Sequence, residues 1–218
     1  WVSNVIRSRD RHDSGSEEMY SANGAEVSNN WPSMRANDLD SSPVTGLPDE
    51  RWVRIVAFGN DLYLESSFDR VYSWNVNGIR AAVKKGFLGW FDEVSPDVLC
   101  LQEVRAEEPQ IDPTLVSPLG YHTIWNPSRA RKGYSGTAIL SREAPLEVEL
   151  GLGDEEFDVE GRTVIAHYED FVLLNSYFPN GRDDLSRVDY KLRFYELFLE
   201  RCEGFRDEGR SVVFCGDL

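Results

Sequence analysis

Hydrophobic and polar positions divide the chain near residue 70. Ser, Asn, Asp and Gly dominate through Ser41, and periodicity is missing apart from a loose alternation over residues 52–64, so residues 1–69 read as a mostly disordered extension. From Val71 onward, short apolar runs alternate with polar loops and amphipathic stretches. The pattern predicts strands at 71–76 and 97–102, joined by a helix over 79–93 with Ala82, Val83, Phe87, Trp90 and Phe91 on its apolar side, which together make a β-α-β unit. Further strands are expected at 121–125, 137–141, 163–168 and 171–177. Only Glu169 and Asp170 separate the last two, as in a hairpin. Val188, Leu192, Tyr195, Leu199 and Cys202 recur at helical spacing and predict a long helix over 185–208, followed by a final strand at 211–215.

Composition narrows the class. The 218 residues are 41% hydrophobic, with a net charge of −15, an ordinary globular balance. No apolar run approaches the ~20 residues of a membrane span, and the first 20 residues lack the apolar core of a secretory signal, so a cytosolic or nuclear monomer is expected. Cys100, Cys202 and Cys215 sit in apolar runs without a C-x-x-C partner and read as buried, reduced thiols, as Trp74, Trp90 and Phe194 read as core. His122 and His167 have no partner at metal-ligand spacing. The acidity excludes a protein that holds nucleic acid by a general basic field, which leaves phosphate binding to bound metal or local clusters such as Lys84-Lys85 and Arg129, Arg131 and Lys132.

Several polar groups close predicted apolar strands, where open α/β folds place their sites. Asn75 and Asn77 close the first, Gln102 and Glu103 the second, Tyr177 the hairpin and Asp217 the last. Glu103, Asn75 and Asp217 would meet the oxygen preference of a hard divalent cation. By residue type alone, however, a polar residue just past a strand is more often a turn or a cap.

Whole strings carry more weight. Val71-Tyr-Ser-Trp-Asn-Val-Asn-Gly-Ile-Arg80, Asp97-Val-Leu-Cys-Leu-Gln-Glu103, Gly133-Tyr-Ser-Gly-Thr-Ala-Ile-Leu-Ser-Arg142, Asn175-Ser-Tyr-Phe-Pro-Asn180 and Phe214-Cys-Gly-Asp217 follow one another in order. This part of the chain, 70–218, resembles the N-terminal part of the exodeoxyribonuclease III / apurinic-apyrimidinic endonuclease family, within the endonuclease/exonuclease/phosphatase superfamily. The resemblance implies an α/β fold, part of a four-layer αββα sandwich. It also implies a Mg2+-dependent phosphodiesterase of base excision repair, with Mn2+ as an alternative, acting on abasic duplex DNA or on 3′ ends. Under that resemblance Glu103 and Asn75 hold the metal, Asp217 orients or deprotonates the attacking water and can touch metal, and Tyr177 is the active-site tyrosine. Asn77, Tyr134, Asn180 and Arg182 fall on the side that meets DNA.

The chain departs from the family's pattern in two respects. Asn77 stands where some relatives carry an acid, and the later asparagine, aspartate and Ser-Asp-His elements lie past the last residue. The sequence also opens with Trp1 rather than methionine, as an incomplete or over-extended reading frame would. The expectation is a truncated domain, poorly stable and inactive alone. Two rivals remain at this stage: the same chemistry on a phosphoinositide, lipid or RNA phosphoester, and a noncatalytic binding module on the same scaffold.

Overall fold

The computed structural model describes residues 70–181 and 186–217, together with the backbone of three short strands, β1 (Val5–Ile6), β2 (Leu39–Asp40) and β3 (Arg54–Phe58). The disorder expected for residues 1–69 otherwise lies outside the described residues. β4 (Val71–Asn75) leads through α1 (Ile79–Lys84) and α2 (Phe87–Val94) to β5 (Val98–Gln102). After a 3-10 turn (Glu108–Gln110) come α3 (Pro113–Val116), β6 (His122–Asn126), β7 (Thr137–Ser141), β8 (Glu147–Leu150), α4 (Glu155–Asp158), β9 (Thr163–His167), β10 (Phe171–Tyr177), α5 (Val188–Asp207) and β11 (Ser211–Asp217).

Two mixed sheets result, with strand orders β4-β5-β7-β6 and β3-β11-β10-β9-β8. They pack face to face through Val71, Val98, Cys100 and Ile139 of the first and Val164, Ala166, Leu173, Val213 and Cys215 of the second. Aromatics of α2 cover the outer face of the first sheet, where Trp90 packs edge-on against both Tyr72 and Trp74. Helix α5 covers the second. Helix, sheet, sheet and helix form the four layers implied by the resemblance. The three cysteines are free and buried, as expected.

The β-α-β unit is present, since β4 and β5 run parallel, but its crossover is two helices rather than one. The chain breaks at Gly86, whose φ of 100° is a left-handed conformation that ends α1 and starts α2. On α5 the buried stripe is Phe194, Phe198, Cys202 and Phe205, while Leu192 is 54% exposed. The heavier aromatic register faces the sheet and rotates the expected stripe outward. β8 lacked a sequence signal because its Glu-Val-Glu-Leu alternation lies on a sheet edge with little burial.

Candidate active site

Both sheets present strand ends at one rim. β4 and β5 are parallel with Asn75 opposite Gln102, and β10 and β11 are parallel with Tyr177 opposite Asp217, so each pair leaves its sheet on the same edge. Asn75 Nδ2 donates to Asp217 Oδ2 at 2.5 Å, which joins β4 to β11 across the sandwich. The Tyr177 hydroxyl lies near enough to the Glu103 carboxylate to feel its charge, which brings the end of β10 to the end of β5. Beneath them Gln102 Nε2 donates to Ser73 Oγ (2.9 Å) and Asn175 Oδ1 (2.7 Å), and Asn175 Nδ2 donates to the carbonyls of Leu101 (3.0 Å) and Ala138 (2.8 Å). This buried amide bridge fixes one sheet on the other.

Local backbone aims the carboxylates. Glu103 leaves β5 in a left-handed conformation (φ 56°), and its carbonyl accepts from the Gly78 N–H at 2.8 Å. The chain thereby turns under the next loop, leaving the residue 4% exposed. The Arg105 guanidinium donates to Glu103 Oε1. Asp217 reaches the rim because Gly216 lies so close to β10 that an added Cβ would fall 2.0 Å from the Ser176 carbonyl oxygen. The Tyr177 hydroxyl is held well above its ordinary pKa, first by burial and then by the negative charge of Glu103, with Arg162 opposing and Asp217 adding to the rise. It is therefore a protonated donor across the physiological range.

The structure brings Asn75, Glu103, Tyr177 and Asp217 together. Asn77 is exposed beside them, its N–H donating to Asn75 Oδ1 at 2.9 Å. Asn180 is exposed beyond Tyr177, and Arg182 lies outside the described residues. Tyr134 is half-buried, with the Arg131 guanidinium 4.6 Å from its ring centre. Arg129 pairs with Glu155 at 3.2 Å, and Lys84, Lys85 and Lys132 are exposed. Sequence reasoning missed Arg105, Glu160, Arg162 and Arg187, which bond to Glu103, Tyr134 or the Tyr177 main chain. Their only signal was charge beside an apolar run, which does not distinguish an inward guanidinium from a solvated one.

Residues 72–218 match the family described as Endonuclease/Exonuclease/phosphatase family. The chain belongs to that family. Within the Endonuclease/Exonuclease/phosphatase family it is similar to an exodeoxyribonuclease of Bacillus subtilis, 40% identical over 150 residues that make up 68% of this chain and 58% of the relative. It is equally similar to the DNA repair nuclease APEX1 of Danio rerio, 40% identical over 150 residues, 68% of this chain and 48% of the relative. Among solved structures, an AP endonuclease from Archaeoglobus fulgidus superposes with a TM-score of 0.58 at 32% identity, covering 67% of this chain and 56% of that one. The chain thus spans about half the length of the relatives it matches. The fold and the family resemblance expected from the motif strings both hold.

Endonuclease/Exonuclease/phosphatase nucleases are metal-dependent, and the donor set of this chain suits a hard cation. Two carboxylates and an amide oxygen meet at the rim, and among the described residues no group of three or more His, Cys, Asp or Glu is placed to hold a metal ion by itself. Such a site fits a cation that keeps positions for water and phosphate. No helix among the described residues is long and apolar enough to cross a membrane.

Proposed function

We propose that residues 70–218 carry the N-terminal part of a Mg2+-dependent DNA repair phosphodiesterase, which cuts the backbone beside abasic sites and removes nucleotides from 3′ ends. The observation supporting this reading is the convergence of Asn75, Glu103, Tyr177 and Asp217 from four strand ends on two sheets. Glu103 and Asn75 would hold Mg2+ (or Mn2+), with Asp217 beside them. When bound, the cation supplies Lewis acidity at the phosphoryl oxygen and offsets charge on the leaving 3′ oxygen.

The remaining work belongs to the chain. Asn75 Nδ2 fixes the rotamer of Asp217, whose carboxylate orients the attacking water and takes its proton as the new P–O bond forms and the P–O3′ bond breaks. Solvent returns a proton to the departing 3′ oxygen. Tyr177 keeps its own proton and donates a hydrogen bond to the phosphoryl oxygen as charge gathers there. Asn77, Tyr134, Asn180 and Arg182 would meet the DNA backbone. The protein would act as a monomer in the cytoplasm or nucleus.

Expression from the full reading frame, followed by incubation with abasic duplex DNA and with inositol phosphates in Mg2+ or chelator, tests the reading. Metal-dependent incision of the abasic strand is expected, with Glu103→Gln slower by about 100-fold or more. Release of phosphate from inositol phosphates with intact DNA would move the assignment to another branch of the family. An unchanged rate in Glu103→Gln would remove this site from it.

A further inference from the structure

The rim continues into a polar network of which the assignment above uses only Tyr134. Arg162 precedes β9 and is 3% exposed. Its Nη1 donates to the Tyr177 carbonyl at 2.9 Å, its Nη2 to Tyr134 Oη at 2.9 Å and its Nε to Glu160 Oε2 at 2.6 Å. Its own carbonyl accepts from the Tyr177 N–H at 2.8 Å. One residue thus grips the main chain of Tyr177 on both sides and touches the hydroxyl of Tyr134. Arg187, at the start of α5, completes the frame, with Nη1 donating to Tyr134 Oη at 2.8 Å and Nη2 to Glu160 Oε1 at 2.9 Å.

This frame sets the chemistry of the Tyr134 hydroxyl. A phenol oxygen that accepts from two guanidinium groups has used its lone pairs, so its single proton must point elsewhere. Among the described residues the Glu160 contact is long, at 3.4 Å, and that carboxylate is already forked by both arginines. The Tyr134 proton thus goes to Glu160 Oε2 in the longest bond of the frame, the one contact that an incoming anionic oxygen would replace. Two arginines and one glutamate also leave one net positive charge beneath it, in a chain of net charge −15. Burial alone would raise the Glu160 carboxyl, but Arg162 and then Arg187 hold it below its ordinary value, so the frame is intact at neutral pH.

We propose that Arg162 is a positioning residue that sets Tyr134, as a phosphate-contacting donor, at a fixed place relative to Tyr177 at the reaction centre. A strand held at the first tyrosine then presents its scissile phosphate to the second. This inference rests on the nuclease reading above, and it assigns a role to a residue that touches neither substrate nor metal. A guanidinium suits the task because its planar fork reaches three acceptors at once, which a lysine ammonium cannot match at the same geometry.

A double-mutant cycle in the full-length protein on abasic duplex DNA tests it. Tyr134→Phe is expected to raise KM about five- to tenfold with kcat within about twofold, the loss of one charge-assisted hydrogen bond. Arg162→Met is expected to raise KM by a similar factor and also to lower kcat about tenfold or more. In the double variant KM should stay within about twofold of Tyr134→Phe, because Arg162 acts on binding through that hydroxyl. Arg162→Lys should recover the melting temperature more fully than kcat. If Arg162→Met does not fold, the cycle is run with Arg162→Lys. KM effects that simply multiply, or a lowered melting temperature with unchanged kcat and KM, would overturn the positioning role while leaving the nuclease reading in place. A wild-type protein that cuts no abasic DNA brings down that reading, and this inference with it.

Discussion

Tyr177 shows how a single side chain is tuned by its neighbours. Burial and the Glu103 and Asp217 carboxylates all disfavour its phenolate, so its chemistry is that of a donor and not of a base. Tyr177→Phe is expected to lower kcat by about 100- to 1,000-fold with little change in KM, as for the loss of one preorganised donor to a developing oxyanion. Single-turnover cleavage of abasic duplex measures this, and a comparable rise in KM would mean that the phenol serves binding instead. Arg105, on the other side of Glu103, is the nearest cation to the carboxylate in the metal-free protein. A metal entering the site would share or displace that contact.

At the scale of elements, the parallel register of β10 and β11 places Tyr177 beside Asp217. The register tolerates no side chain at Gly216, where a Cβ would overlap the Ser176 carbonyl. Gly216→Ala should therefore destabilise the fold by about 3 kcal/mol, at the upper end of overpacking, and slow cleavage by separating the two residues. Urea denaturation and cleavage assays measure the two effects, and a native-like variant would mean that the strands part easily. Much of this architecture was legible in the sequence, because β4, β5, β7, β9 and β10 are short apolar runs closed by polar residues. The break at Gly86 was not, since apolar periodicity continues across it. β8 was hidden because a half-exposed edge strand of alternating glutamates resembles a loop. The α5 stripe was placed one register off because Val188 and Leu192 matched the period as well as Phe194 and Phe198 did, and only the sheet decides between them. That Asn75, Glu103, Tyr177 and Asp217 belong together was readable from the motif strings that carry them, since their place after strands alone suits a turn or a cap equally well. Arg162 and Arg187 were not, because an arginine's partners depend on segments brought in from elsewhere in the chain.

For the whole molecule, the sandwich buries ionisable groups in neutral form, which makes its stability sensitive to alkali. Burial pushes the Cys202 thiol up to about 12 and holds Cys100 and the Tyr168 hydroxyl well above their ordinary values. A group whose folded pKa lies above its unfolded one contributes fully below the unfolded value and progressively less above it. Stability should therefore hold to about pH 8.5, decline as unfolded thiols ionise and fall more steeply above about pH 10 with the tyrosines. Melting temperatures from pH 7 to 11 measure this, and Tyr168→Phe should flatten the upper limb. A flat profile would mean that these groups titrate alike in both states. The left-handed turn at Glu103 bears on the same ledger from another side. A non-glycine residue there is strained by about 1–2 kcal/mol. Asparagine accepts such a backbone more readily and carries no charge. Metal-free Glu103→Asn should accordingly melt above the wild type while losing its affinity for divalent ions in calorimetry. Heat resistance and turnover would then be opposed at one position, and a screen for durability alone would select the dead protein.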